Sequence, residues 1–181
     1  RQVKQPAELA AIRKAVTITA ESISALKDQI GTMKSERDVD IFLSHQFRLR
    51  GASGHGYDPI VGSGVHAATI HHETNDGPLV RDSLLLMDVG ALYNGYSADI
   101  SRTYVIGTPT QKQQAVYDAV KSAHTYAVGL LKPGIIIREY QKEVVRYLVD
   151  ALITAGVYDA AAREQYEKDY PHLISHHLGL D

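Results

Sequence analysis

Two aspartates and a set of histidines are the residues best suited to do chemistry in this sequence. Asp88 ends the apolar run Leu84-Leu85-Leu86-Met87, and Asp99 follows eleven residues later with Asn94-Gly95 between them. Asn-Gly between two apolar runs is the strongest short hairpin signal, because both central residues of the tight turn take positive φ. A two-residue turn at 94–95 pairs Tyr93 with Tyr96, so facing residues have numbers that sum to 189. Asp88 then faces Ser101 and Asp99 faces Gly90, and alternation with period two puts both carboxylates on one face. As diagonal neighbours, their Cβ atoms lie roughly 7–8 Å apart. Two carboxylates this close on a buried face need a counter-charge to ionise together. Gly90, beside them, leaves room for something to approach.

Three chemistries compete for such a pair. Solvent-facing hairpin residues are the blandest, but Leu84 and Leu86 share the face of Asp88 and would be left outside unless both sides of the sheet are covered. An acid/base pair sharing one proton is the second. The third is one or two hard divalent cations held by carboxylate oxygens and an imidazole. Histidine is abundant, at nine residues, and six fall in two clusters: His66, His71 and His72, then His172, His176 and His177. A proton-sharing pair has no need of them, so they favour the cation. Blander roles remain for several: His66 and His124 read as surface or helix-face residues, while His45 and His55 read as structural or solvated. His72 and His177 flank functional neighbours and, by strand parity, point the other way. The glycine-rich loop around His55 is no phosphate cradle, since no Gly-Lys-Ser/Thr follows it.

Composition narrows the partners. At 181 residues the chain reads as one domain with room for a sizeable core. Nineteen Lys and Arg against 21 Asp and Glu leave a formal charge of −2, which argues for neither a nucleic acid nor a membrane partner. There is no cysteine, so disulfides and thiolate metal sites are excluded, and a cytoplasmic setting suits the chain. No apolar run approaches membrane-spanning length, and no charged segment with an apolar stretch opens the chain.

The elements that must position these residues follow from periodicity and punctuation. Pro6 opens a helical stripe through Leu9, Ile12, Val16, Ile23, Leu26 and Ile30 that stops at Gly31. Ser35-Glu36-Arg37-Asp38 reads as a capping box for a second helix ending near Gly51. Residues 51–64 read as loop around one short strand, and 67–72, 83–91 and 96–106 read as strands. Thr110 caps a helix to about Leu131, Lys132-Pro133-Gly134 breaks it, and another helix runs from about Glu139 to Ala155. The final PHLISHHLGLD reads as the start of further strand. Helices, strands and helices in that order make the class α+β.

"TIHHETND", then "DVGALYNGYSADISRT", then "HLISHHLGLD" together resemble the pita-bread metallopeptidases, most of all their proline-specific branch of Xaa-Pro aminopeptidases and prolidases. "KQPAELAAIRKA" is similar to the first helix of their catalytic domain, so the resemblance covers essentially the whole chain. The resemblance implies a pita-bread fold and a dinuclear metal site whose first ligands match Asp88, Asp99 and His176. It matches His71 and His172 to active-site histidines that meet the substrate, with His71 donating to the developing oxyanion, and Tyr57 to a residue lining the pocket. The activity implied is removal of the N-terminal residue from peptides with proline second. A dipeptidase, another enzyme of the same fold, or a non-catalytic binding module stand as alternatives. Two Mn²⁺ ions are implied, with Zn²⁺ or Co²⁺ as substitutes, holding a bridging water for amide hydrolysis. The partner implied is a prolyl peptide, and a homodimer is compatible with it.

Departures from the pattern carry their own expectation. The family's last two ligands are glutamates, one of them the general base, and they lie beyond the histidine segment, past Asp181. A second histidine that follows "GLD" is also missing, and Leu173 stands where the branch has a small residue. Residues 1–181 therefore read as the N-terminal two-thirds of a catalytic domain, incomplete at its C-terminal end. Taken alone they are expected to bind Mn²⁺ weakly or not at all, to be inactive, and to associate through an uncovered strand edge.

Overall fold

A computed structural model describes residues 3–180; Arg1, Gln2 and Asp181, the last residue of the SHHLGLD motif, lie outside it. The chain divides into two compact units, residues 1–108 with 177–181, and residues 109–176.

The first unit opens with helix α1, Pro6–Lys27, whose Pro6 sits in the first turn and whose N-terminus carries a capping box between Gln5 and Glu8. Helix α2, Glu36–Leu49, starts from Ser35, whose side chain accepts the Asp38 N–H while the Asp38 carboxylate accepts from Ser35 in return. That is the capping box read from the sequence. The strands follow: β1 (Gly54–His55), β2 (Ile60–Ser63), β3 (Ser83–Val89), β4 (Ala91–Tyr93), β5 (Tyr96–Ser97) and β6 (Ile100–Ile106). They form two three-stranded antiparallel sheets, β1-β4-β5 and β2-β3-β6.

Segment 67–72 is not the strand its pattern suggested. A short 3-10 helix, Gly64–Ala68, runs into it, and His71 then takes a φ of 55°, which ends any extended run. The loop before it holds two short strands rather than one. Residues 171–180 also form no strand, because a strand needs a ladder partner and none of the described residues pairs with them.

On β3 the alternation is sharp. Leu85, Met87 and Val89 are buried and pack with Ile18, Leu26, Val39, Leu43 and Phe47 of the two helices, while Leu84, Leu86 and Asp88 are half-buried. The aspartate therefore stands on the partly open face, and its leucine neighbours stand there with it. A polar tie reinforces the packed face: the buried Thr19 hydroxyl of α1 accepts the Ala91 N–H at 2.9 Å.

The second unit is helical. Thr110 caps α3, Gln111–Leu130, through reciprocal bonds with Gln113, and α4 runs Ile137–Thr154. Ala127 packs with Tyr140 and Val144, and Ile174 lies against them. A short 3-10 turn, Ala160–Ala162, leads into α5, Arg163–Lys168.

Candidate active site

The hairpin forms in the register its sequence dictates. Asn94 and Gly95 both take positive φ, 50° and 81°, and Tyr93 pairs with Tyr96. Asp88 pairs with Ser101, so the same register holds on both sides of a break at Gly90 and at Ala98-Asp99. At that break both arms of the hairpin leave the sheet of β3 and β6 for the sheet of β4 and β5. The two carboxylates stand where the arms change sheet.

Glycine at position 90 is what lets the arms cross so closely. A Cβ there would come within 1.7 Å of the Ala98 carbonyl oxygen and 2.9 Å of the Tyr57 ring. The room expected at Gly90 is thus taken up by the chain's own backbone and by a tyrosine. The Gly56 N–H donates to the Gly90 carbonyl at 2.8 Å and brings Tyr57 to the break.

Tyr57 joins the two carboxylates. Its hydroxyl lies 2.6 Å from Asp88 Oδ1 and 3.4 Å from Asp99 Oδ1, which places both aspartates on one face around one atom. It has one proton for two acceptors. Burial, and then the hydrogen bond and charge of Asp88 with the charge of Asp99, push the Tyr57 hydroxyl far above its ordinary value. It remains a donor throughout the working pH range.

The other expected residues are described within their own units. His71 is exposed on its left-handed turn in the first unit. His172 and His176 belong to the second unit and are exposed. His172 stacks edge-on to Tyr170 at 5.3 Å, and the Gln141 side chain grips its segment, donating to the His172 carbonyl at 3.2 Å and accepting the Ile174 N–H.

Sequence reasoning missed a second cluster. Glu36, the first residue of α2, is fully buried, and its carboxylate accepts four hydrogen bonds. Oε1 takes the Ser63 N–H at 2.8 Å and His66 Nδ1 at 2.9 Å; Oε2 takes the Gly77 N–H at 2.8 Å and His72 Nε2 at 3.1 Å. Desolvation raises the Glu36 pKa, and the bonds from Ser63, His72, Gly77 and His66 together outweigh it, so the carboxyl is held below its ordinary value. His66 and His72 stack at 4.1 Å between ring centres. Neither histidine is therefore a plain surface residue, and His72 is not turned away by strand parity, because no strand exists there. The one signal available was a carboxylate at a helix start that the Ser35–Asp38 capping box did not use.

A serine, a histidine and an aspartate also approach each other at Ser44, His55 and Asp40. Ser44 Oγ lies 2.8 Å and Asp40 Oδ1 3.8 Å from the same nitrogen, Nε2. A proton relay needs them on opposite nitrogens, and Nδ1 here is buried without a hydrogen-bond partner. His55 packs against Phe47, the structural one of the two roles, structural or solvated, read from its loop context.

With the paired aspartates in place, comparison with known proteins decides the family. Residues 10–181 match metallopeptidase family M24. The chain belongs to that family. An Xaa-Pro aminopeptidase of Escherichia coli is 33% identical over the whole of this chain and 42% of its own length. An Xaa-Pro dipeptidase of Pyrococcus furiosus is 35% identical over the whole chain and 48% of its own length. The structure of E. coli aminopeptidase P with the inhibitor Pro-Leu superposes with a TM-score of 0.89 at 32% identity, covering all of this chain and 43% of that one. The M24 chain thus takes the pita-bread fold, mixed in helix and sheet as its element order implied, and spans less than half the length of these relatives. Members of a metallopeptidase family bind a divalent metal, and no helix among the described residues is long and apolar enough to cross a membrane.

Proposed function

We propose that this protein is a metal-dependent aminopeptidase that removes the N-terminal residue from peptides with proline in second position. One observation carries the reading: Asp88 and Asp99 meet around a single tyrosine hydroxyl, in a chain that aligns throughout with an Xaa-Pro aminopeptidase. The inhibitor of the solved relative, a dipeptide that begins with proline, supports proline recognition.

Residue roles are proposed with it. Asp88, Asp99 and His176 hold the metal, His71 and His172 meet the substrate, and Tyr57 lines the pocket while orienting the two carboxylates. The fit to a cation is chemical: two carboxylates converge on one tyrosine hydroxyl, and oxygen ligands so gathered suit a dication. Such a cation polarises the scissile carbonyl and activates water when bound. Two carboxylates and an imidazole suit Mn²⁺, with Zn²⁺ or Co²⁺ as substitutes. A cytoplasmic setting is proposed from the absence of cysteine, and a homodimer is open to light scattering.

The test is hydrolysis of Xaa-Pro-Yaa tripeptides by the full-length protein with Mn²⁺, beside Xaa-Pro dipeptides and Met-Xaa peptides. Cleavage of the tripeptide after its first residue is expected. Cleavage confined to dipeptides would favour the dipeptidase reading, which the P. furiosus relative supports. Met-Xaa cleavage alone, or none with metal bound, would overturn both.

A further inference from the structure

Glu36, His66 and His72 have the make-up of a cation site built from other residues than the aspartate pair. Each offers one ligand atom, and these atoms lie within 4.8 Å of one another. His66 Nδ1 and His72 Nε2 stand 2.9 Å and 3.1 Å from the two oxygens of one carboxylate. Ligand atoms bound to a tetrahedral dication at about 2.0–2.1 Å sit about 3.3 Å from each other, so small shifts would bring all three into range.

The present hydrogen bonds do not stand in the way. A neutral imidazole carries one proton and can hold it on either nitrogen. Moving it to the far nitrogen turns each near nitrogen from a donor into a ligand, with no net proton lost. His66, with 35% of its side chain exposed, can pass that donor to water, and it also leaves the site an open side for entry. The Ser63 and Gly77 N–H groups would go on orienting the carboxylate, as the outer partners of metal ligands do. Position 77 must be glycine for this, since a Cβ would come 2.8 Å from His66 Nδ1 and 3.0 Å from Glu36 Oε2.

We propose that Glu36, His66 and His72 bind a first-row transition-metal dication of the Zn²⁺ or Co²⁺ class. Two imidazoles with one carboxylate suit that class better than Mg²⁺ or Ca²⁺, which prefer all-oxygen sites. The cation joins the start of α2 to the segment just after β2. Because His72 directly follows His71, it also fixes one side of the turn that presents His71.

Co²⁺ titration of the metal-stripped full-length protein tests this, read by visible absorption and calorimetry. Asp88→Asn with Asp99→Asn removes the proposed family site. In that background one Co²⁺ per chain should still bind, with two imidazole nitrogens in its X-ray absorption spectrum. Adding His66→Asn and His72→Gln keeps N–H donors for Glu36 but takes away the ligands, and affinity should fall about 100-fold or more. An unchanged melting temperature without metal shows that the fold is kept. Should the aspartate variants fail to fold, the two histidine changes in the parent protein should lower the Co²⁺ count by one. No binding in the aspartate-blocked background, or binding indifferent to the histidine changes in either background, overturns the site.

Discussion

Asp88 and Asp99 come from adjacent arms of one hairpin, stand on a half-open sheet face, and share the proton of a single tyrosine. Glu36 is sealed from solvent and takes four donors from four residues between Ser63 and Gly77. Both are carboxylate clusters in the same unit, and their surroundings set them to different work. A lone carboxylate with every lone pair occupied ties the chain together, whether the two histidines meet it through N–H groups or beside a shared cation, and its loss strands those partners. Two carboxylates gathered around one tyrosine hydroxyl put several acceptor oxygens together in reach of solvent, which is what a cation uses. The tyrosine marks the one, and the backbone N–H pair marks the other.

The largest test of this contrast is on activity. In the full-length protein Asp88→Asn or Asp99→Asn should lower Xaa-Pro cleavage by about 10³-fold, since metal polarisation is worth several kcal/mol. Chemical denaturation should move by under about 1 kcal/mol. Similar losses in stability and in rate would erase the distinction.

Glu36→Ala should do the reverse. Removing one partner from a buried charged network costs about 3–5 kcal/mol, measured by denaturant melts. A variant that melts like the parent would show that the cluster ties nothing.

Gly90→Ala probes how tightly the hairpin break is packed. With the Ala98 carbonyl in the way of a Cβ, overpacking should cost about 1–3 kcal/mol and pull the aspartates apart. An unchanged melting curve with unchanged cation affinity would refute that crowding.

Tyr57→Phe should weaken cation binding at the aspartates about 10-fold, as loss of an orienting outer partner does, with folding changed by under about 1 kcal/mol. Equal or tighter binding by calorimetry would remove Tyr57 from the site.

The smallest effect is in pH. Glu36 is held below its ordinary value of 4.5, so its contribution is complete above about 4.5 and is lost as pH falls through the folded value. The stability gap between parent and Glu36→Gln should therefore shrink below about pH 4.5. A gap that widens on acidification would reverse the sign of the shift.

Local rules decided a good deal of this protein from its sequence alone. Asn94-Gly95, whose residues both take positive φ, determined the hairpin, its register and the shared face of Asp88 and Asp99. Ser35 with Asp38 and Thr110 with Gln113 determined two helix starts, because a capping box spans only four residues. Tertiary structure alone decided the rest. Segment 67–72 has an apolar pattern that suits a strand, but the 3-10 helix and the turn at His71 carry it to Glu36 instead. The Glu36 cluster draws on residues up to 41 positions apart, and no spacing rule reaches that far. Gly90 looked like an opening, and only coordinates could show Ala98 and Tyr57 already there. The reason is common to all three. A turn or a cap is settled by neighbours along the chain, whereas burial of a charge and the filling of a gap are settled by whatever the fold brings alongside.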